Sequence, residues 1–259
     1  MFDAEFEEES TLLFEKINLA PYSNEINKDN PTNTVEEAHS LNIFLSRLLF
    51  CFFAEDTEIF TKLVILPKFF TLMLSPIVAA TGRLLISEPF MIDPNFKRSV
   101  ILLTEYSEAG AMGFILNQPG EYLLGDLLPD VSYSELPVFI GGPVANNTLH
   151  FIHCNPEKID GGIEIGGGIY WGGNFETVKK LIANYQLNEA EIRFFTGYSG
   201  WTSKQLDDEI KENSWIVADK LNKGIIFSKN EENLWRQVVI GLGQRYAHIA
   251  NFPENPELN

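Results

Sequence analysis

The chain has 259 residues, enough for one large domain or one domain with a smaller appendage. Hydrophobic residues make up 45% of it, an ordinary globular supply for a sizeable core. Asp and Glu outnumber Lys and Arg 36 to 19, giving a net charge of −17, and the longest basic runs are the pairs Lys97–Arg98 and Lys179–Lys180; this disfavours extended contact with nucleic acid or with an anionic membrane.

The start, M-F-D-A-E-F-E-E-E, is acidic, the opposite of a secretory leader, and the expected compartment is the cytoplasm. Cys51 and Cys154 sit in apolar contexts and read as small buried thiols in a reducing environment. Residues 18–33 are rich in Asn and broken by Pro, as loops are. A helix is expected from Thr34, with Glu37 as its capping-box partner and Leu41, Phe44, Leu45, Leu48, Leu49 and Phe52 along one face. Leu63 to Ala80 is apolar but carries Pro67, Lys68, Ser75 and Pro76, so it lacks the run of about 20 apolar residues that a membrane span needs.

Composition changes near residue 80, and all 19 glycines lie at or beyond Gly82. Short apolar runs predict strands at Arg83–Ser87, Arg98–Thr104, Ala111–Asn117, Val138–Ile140, His150–His153, Ile192–Thr196, Trp215–Ala218 and Ile225–Ser228. Asp160-Gly161 reads as a hairpin turn. Helical periodicity predicts a helix after Asn174 with Phe175, Val178, Leu181, Ile182 and Tyr185 inward. A second is expected over Ser203–Glu212, with Leu206 and Ile210 inward. A third is expected over Glu231–Leu242, with Leu234, Trp235, Val238, Val239 and Leu242 inward. The elements mix without a regular βαβ repeat. The expected fold class is therefore α+β, a mixed sheet flanked by helices in a three-layer-like arrangement, with a helical appendage over 1–74 and the main domain over 75–259.

Several residues could carry chemistry. Ser199 is flanked by Gly197 and Gly200, between a strand and a helix opened by Thr202 with Gln205 completing a capping box. That is where a hydrolase places its nucleophile, but the elbow motif is G-x-S-x-G and Trp201 stands in place of the second Gly. His248 is the only histidine after Ser199, so the two glycines are expected to make a tight turn while Tyr198 and Trp201 pack. His150, His153 and Cys154 have too few neighbouring ligands for zinc, and on a strand the two histidines point to opposite faces, one packed and one exposed. The glycines of 161–168 lack the lysine of a phosphate loop and read as hairpin flexibility. Gly141-Gly142-Pro143 reads as a turn, with an anion-binding nest of amides as the alternative. Asp93 and Arg98 bracket D-P-N-F-K-R, where a buried Asp–Arg pair holding the loop competes with a ligand role. Asp207, Asp208, Glu209 and Glu212 read as the solvated face of a helix. No cofactor and no metal site is expected.

Four stretches occur together in order: G-R-L-L-I-S-E-P-F-M-I-D-P-N-F-K-R-S-V-I-L-L at 82–103, G-A-M-G-F-I-L-N-Q-P at 110–119, G-G-P-V at 141–144, and G-Y-S-G-W-T-S-K-Q-L-D-D-E-I-K-E-N-S-W at 197–215. In this combination the chain from about 75 to 259 resembles the YqgE/AlgH family. The resemblance implies a compact cytoplasmic mixed α/β protein without an established enzymatic activity, one branch of which is labelled a transcriptional regulator. It gives no catalytic residues. Its motif positions here are Asp93, Arg98, Asn117, Gly141, Gly142, His153, Tyr198, Trp201, Gln205 and Glu209. Pro143 and Ser199 join them as candidates from the turns themselves. Residues 41–60 resemble instead a helical piece of large single-chain restriction–methylation enzymes, without the glycine or N-P-P-Y motifs of methyl transfer. The expected function is a non-enzymatic binding or regulatory protein with protein partners. The alternative is a small-ligand binder or hydrolase-like enzyme with a pocket near Gly197–Trp201.

Overall fold

Ten strands make one sheet: β1 (Leu84–Ser87), β2 (Val100–Ser107), β3 (Gly110–Ile115), β4 (Pro119–Leu123), β5 (Pro137–Ile140), β6 (Val144–His153), β7 (Ile163–Gly166), β8 (Ile169–Trp171), β9 (Ile192–Thr202) and β10 (Trp215–Ala218). This computed structural model describes residues 77–252 apart from 220, 244, 245, 247 and 248. The expected Thr34 helix, most of the tract 63–80 and His248 lie outside the described residues. The helices are α1 (Leu124–Leu127), α2 (Phe175–Ala183), α3 (Gln205–Lys211), α4 (Lys223–Ile226) and α5 (Glu231–Gly241), with single 3-10 turns at Pro129–Val131 and Ile249–Asn251.

The strand order is β10-β1-β2-β3-β9-β6-β8-β7. β5 pairs parallel with β9 and antiparallel with β4, while the other pairings are antiparallel, so the sheet is mixed and the class is α+β as expected. β1 is buried at every position because helices cover both of its faces. On one face Leu85, Ile101, Leu103, Trp215 and Val217 pack with Leu206 and Ile210 of α3. Leu84, Ile86 and Leu102 alternate to the other face, where α5 lies on β1 and β2 and the Trp235 indole N–H donates to the Ser87 carbonyl at 3.0 Å. Along the second half of the sheet, Val178 and Ile182 of α2 join Val138, Phe151, Ile192 and Phe194 in a second cluster.

Most predicted elements are present, with boundary shifts of a few residues. α2 begins where Asn174 accepts a hydrogen bond from the Thr177 N–H at 3.1 Å, a side-chain cap legible in the sequence. Tyr185 is not inward: it lies past the end of α2, and Leu187 is buried in its place. In α5 four of the five predicted inward residues are buried, and Leu242 lies just beyond the helix at its C-cap. Ile225–Ser228 is not a strand. Its apolar run forms α4, because Asn222 accepts from the Ile225 N–H at 3.0 Å and caps a helix. Asp160-Gly161 does not make a hairpin, since β6 pairs with β8 and not with β7; the hairpin joins β7 to β8 through Gly167-Gly168.

The largest departure is at 197–202. The stretch read as a turn is strand, and β9 runs without a break from Ile192 to Thr202. The helix after it begins at Gln205 and not at Ser203, with Lys204 at φ +64° before it. Half of the expected capping box forms: the Gln205 side-chain oxygen accepts from the Thr202 N–H at 3.0 Å and from the Thr202 hydroxyl at 3.1 Å.

Candidate functional site

β9 changes partners along one edge. Its first half pairs with β5 through Phe194, Phe195 and Thr196, and its second half pairs with β3 through Ser199 to Thr202. Three strands therefore meet in a fork, and Gly141 sits in it. Its N–H donates to the Thr196 carbonyl at 2.9 Å, and its carbonyl accepts from the Ile115 N–H at 3.0 Å and from the Ser199 hydroxyl at 3.0 Å. A Cβ on Gly142 would lie 2.3 Å from the Tyr198 carbonyl carbon and 2.4 Å from the Ser199 nitrogen, so the two main chains touch directly. Gly197 adopts φ +64°, which bends β9 at the changeover. The G-G-P and G-Y-S-G-W segments, 54 residues apart from Pro143 to Gly197, are one unit held by backbone contact.

This placement decides the chemistry of Ser199. Its side chain is 0% exposed and its hydroxyl is spent on Gly141. A nucleophile must present its oxygen to substrate on an open turn, and this one lies inside a sheet. The amide of Gly141 is likewise committed to Thr196, which removes one donor from the anion-nest alternative.

Trp201, Gln205 and Glu209 form a second group. One Glu209 oxygen accepts from the Trp201 indole at 2.8 Å and from the Trp215 indole at 2.7 Å, while the other accepts from the Gln205 amide at 3.0 Å. Phe96 stacks on Trp201 at 6.3 Å and meets Trp215 edge-on at 5.6 Å. Glu209 is therefore not simply part of a solvated helix face; it is the acceptor that lets two buried indoles satisfy their N–H groups. Replacing Glu209 with Ala leaves both donors unpaired and is expected to cost about 2 kcal/mol, read from the urea midpoint, with Glu209→Gln losing less because an oxygen acceptor remains.

The loop 93–98 meets this group through Phe96. Asp93 is exposed, not buried, and closes its own turn by accepting from the Asn95 N–H at 2.9 Å. Arg98 lies 4.7 Å over the Trp235 ring and donates to the Phe252 carbonyl at 2.5 Å. Asn117 ties the loop to the sheet, accepting from the Val100 N–H at 2.8 Å and donating to the Arg98 carbonyl at 2.9 Å. Pro143 is exposed at the rim of the fork.

His153 sits at the far end of β6 from Val144, which pairs with Tyr198. Its Nε2 donates to the Gly172 carbonyl at 3.1 Å and its Nδ1 accepts from the Asn155 N–H at 3.2 Å, so both nitrogens are used. Burial lowers its pKa from the ordinary 6.5, against the Gly172 carbonyl and Glu157, which favour the cation. The stability that the neutral ring supplies is complete above pH 6.5 and is lost as pH falls below it. Unfolding midpoints are expected to drop from about pH 6.5 downward, and to drop less steeply in His153→Gln.

The sequence missed Arg193, and it expected one of His150 and His153 to be exposed, which neither is. Arg193 on β9 has a side chain only 4% exposed; it donates to the Leu116 carbonyl at 2.7 Å and the Ser228 carbonyl at 2.5 Å, and stacks 4.1 Å over Phe139. His150 is half-buried among Phe114 at 5.3 Å, Tyr198 at 6.0 Å and Trp171 at 6.5 Å. Thr148 donates its hydroxyl to the Ala145 carbonyl at 2.7 Å, so it accepts from His150 Nε2 at 2.9 Å. Burial lowers the His150 pKa as well. The i, i+2 spacing of Thr148 and His150 on one strand face was the available signal for this pair.

A mixed sheet whose longest strand joins three partners, with its motif residues bonded to one another, defines a class of fold and not a reaction. Comparison with known proteins gives the family of that fold. The AlgH-like family DUF179 matches residues 84–247, and the chain belongs to that family. Residues 39–84 match the MmeI helicase spacer domain. A UPF0301 protein of Chlorobium limicola is 43% identical over 178 residues, 69% of this chain and 95% of that protein. One from Bacteroides fragilis is 38% identical over 191 residues, 73% of this chain and 96% of that protein. The solution structure of the AlgH protein from Pseudomonas aeruginosa has a TM-score of 0.54 at 25% identity, covering 67% of this chain and 94% of that one. A crystal structure of a Corynebacterium diphtheriae protein shares the fold, with a TM-score of 0.57 at 22% identity over 68% of this chain and 93% of that one.

Proposed function

We propose that this chain is a non-enzymatic binding or regulatory protein of the bacterial cytoplasm that acts through its surface on protein partners. One observation carries the reading: Ser199, the residue best placed in sequence to be a nucleophile, is sealed in β9 and bonded to Gly141. The indole-bound Glu209 and the doubly engaged His153 support it in the same way. The net charge of −17 favours partners other than nucleic acid. No described helix is long and apolar enough to cross a membrane. We place the binding domain at 75–259, with 1–74 as an appendage to it.

The test is Ser199→Ala. It removes one hydrogen bond to a carbonyl that Ile115 still serves, so a loss of about 1 kcal/mol of stability is expected, and the partners cross-linked in cells are expected to be those of the wild type. Labelling of Ser199 in the folded protein by a serine-directed fluorophosphonate would contradict the reading.

A second reading, a small-ligand site, is supported by His150. Its half-buried imidazole stands among three aromatic rings beside the fork. A ligand held there stabilises the native state by about 2.7 kcal/mol at 100-fold over its Kd, so a metabolite panel read by thermal shift distinguishes the two readings.

A further inference from the structure

The segment 119–137 carries Glu121, Asp126, Asp130 and Glu135 and contains neither Lys nor Arg. It also carries Tyr122, 56% exposed, and Tyr133, 48% exposed. Tyr185, displaced from α2 by the helix end, is 86% exposed, and its ring stands 6.4 Å from that of Tyr133. The segment is folded back on itself: the Leu124 N–H donates to the Leu136 carbonyl at 2.8 Å and the Gly125 N–H to the Ser134 carbonyl at 3.1 Å. The end of β4 that bears Tyr122 is thereby strapped to the stretch that bears Tyr133.

Two of the acids are spent locally. Asp126 accepts from the Leu123 N–H at 2.8 Å, and Asp130 pairs with Lys179 at 3.0 Å. That lysine is also held by Glu176 at 2.7 Å, so Lys179 is itself neutralised. Glu121 and Glu135 are exposed and have no ion-pair partner among the described residues.

We infer that Tyr122, Tyr133 and Tyr185, set among the carboxylates of 119–137, form a docking surface for a lysine- and arginine-rich segment of a partner protein. This rests on the binding reading and names the chemistry of the partner. Exposed tyrosines offer wide, rigid contact faces at low entropic cost, and their rings attract guanidinium and ammonium groups within about 6 Å. Glu121 and Glu135 supply the opposite charge and speed the encounter. The partner does not add as a strand to β4. Pro119 has no N–H to give, and the Leu123 N–H is already taken by Asp126, so the edge is blunted. The basic segment lies across the tyrosine faces instead.

The experiment titrates the full isotope-labelled chain with an arginine–glycine repeat peptide and with a glutamine–glycine peptide of equal length. Shifts are expected at 119–137 and around Tyr185 with the first peptide and none with the second. Tyr133→Ser with Tyr185→Asn is expected to weaken binding about tenfold, Asn suiting the φ of +54° at 185, while the dispersed spectrum shows the fold intact. Glu121→Gln with Glu135→Gln is expected to lower the association rate and its salt dependence. Unchanged affinity in the tyrosine variant, or shifts spread over every acidic surface, would overturn the inference. Cross-linking in cells separates the two levels: partners retained by the tyrosine variant sink this surface and leave the binding reading standing. Peptide bound at the tyrosines with no partner cross-linked to the wild type sinks the binding reading instead.

Discussion

Arg193→Ala is expected to cost about 3–5 kcal/mol, read from the urea midpoint. The buried Leu116 carbonyl and the part-buried Ser228 carbonyl each lose a charged donor, and each buried acceptor left unsatisfied costs about 1–3 kcal/mol. The guanidinium also packs on Phe139, so a void adds to the loss. Burial pushes its pKa down to about 10, with Glu231 and Glu189 favouring the cation, and it stays charged at neutral pH. Arg193→Lys keeps a charge but has no fork to reach both carbonyls, so it recovers only part of the loss. Because the two carbonyls belong to the approach to β4 and to the segment before α5, the variant is expected to loosen both together in hydrogen exchange.

Gly142→Ala is the second large effect, expected at about 3 kcal/mol or more and measured in the same way. The added methyl would lie 2.3–2.4 Å from main-chain atoms of Tyr198 and Ser199, and backbone inside a sheet cannot step aside as a flexible side chain can. The φ of +152° at this position disfavours any side chain further. Relief requires prying the G-G-P segment from β9, which also strains the Ser199–Gly141 bond. Gly168→Ala makes the contrast: no atom lies within 4 Å of its Cβ position, so only the cost of its φ of +71° is expected.

Local signals in the sequence located what local forces build. Asn174 capped α2, and the spacing of Leu234, Trp235, Val238 and Val239 marked the buried face of α5. The runs at β1, the first half of β2 and β10 read as strands because residues buried on both sides are nearly all apolar. What failed was decided by distant partners. Gly197 and Gly200 look like a turn in isolation, but Gly197 admits close main-chain approach and a bend within β9, Gly200 lies against the Tyr198 ring, and only β3, β5 and β6 make that visible. The Ile225–Phe227 run was ambiguous by periodicity, and Asn222 was the signal that settled it. Glu209 looked like a solvated acid because Trp201 and Trp215 reach it from separate strands. Arg193 carried no local signal, since its partners lie 77 and 35 residues away.

Gly197 to Thr202 is a packed strand joining the two halves of the sheet, not an open turn that presents a serine. Native-state hydrogen exchange tests it most directly. The amides of Ser199 and Trp201 are expected to exchange only through global unfolding, with the same opening free energy as those of β1 and β2. Exchange of Ser199 and Trp201 through a low-energy local opening, while β1 and β2 remain protected, would mean that 197–202 is an open turn after all.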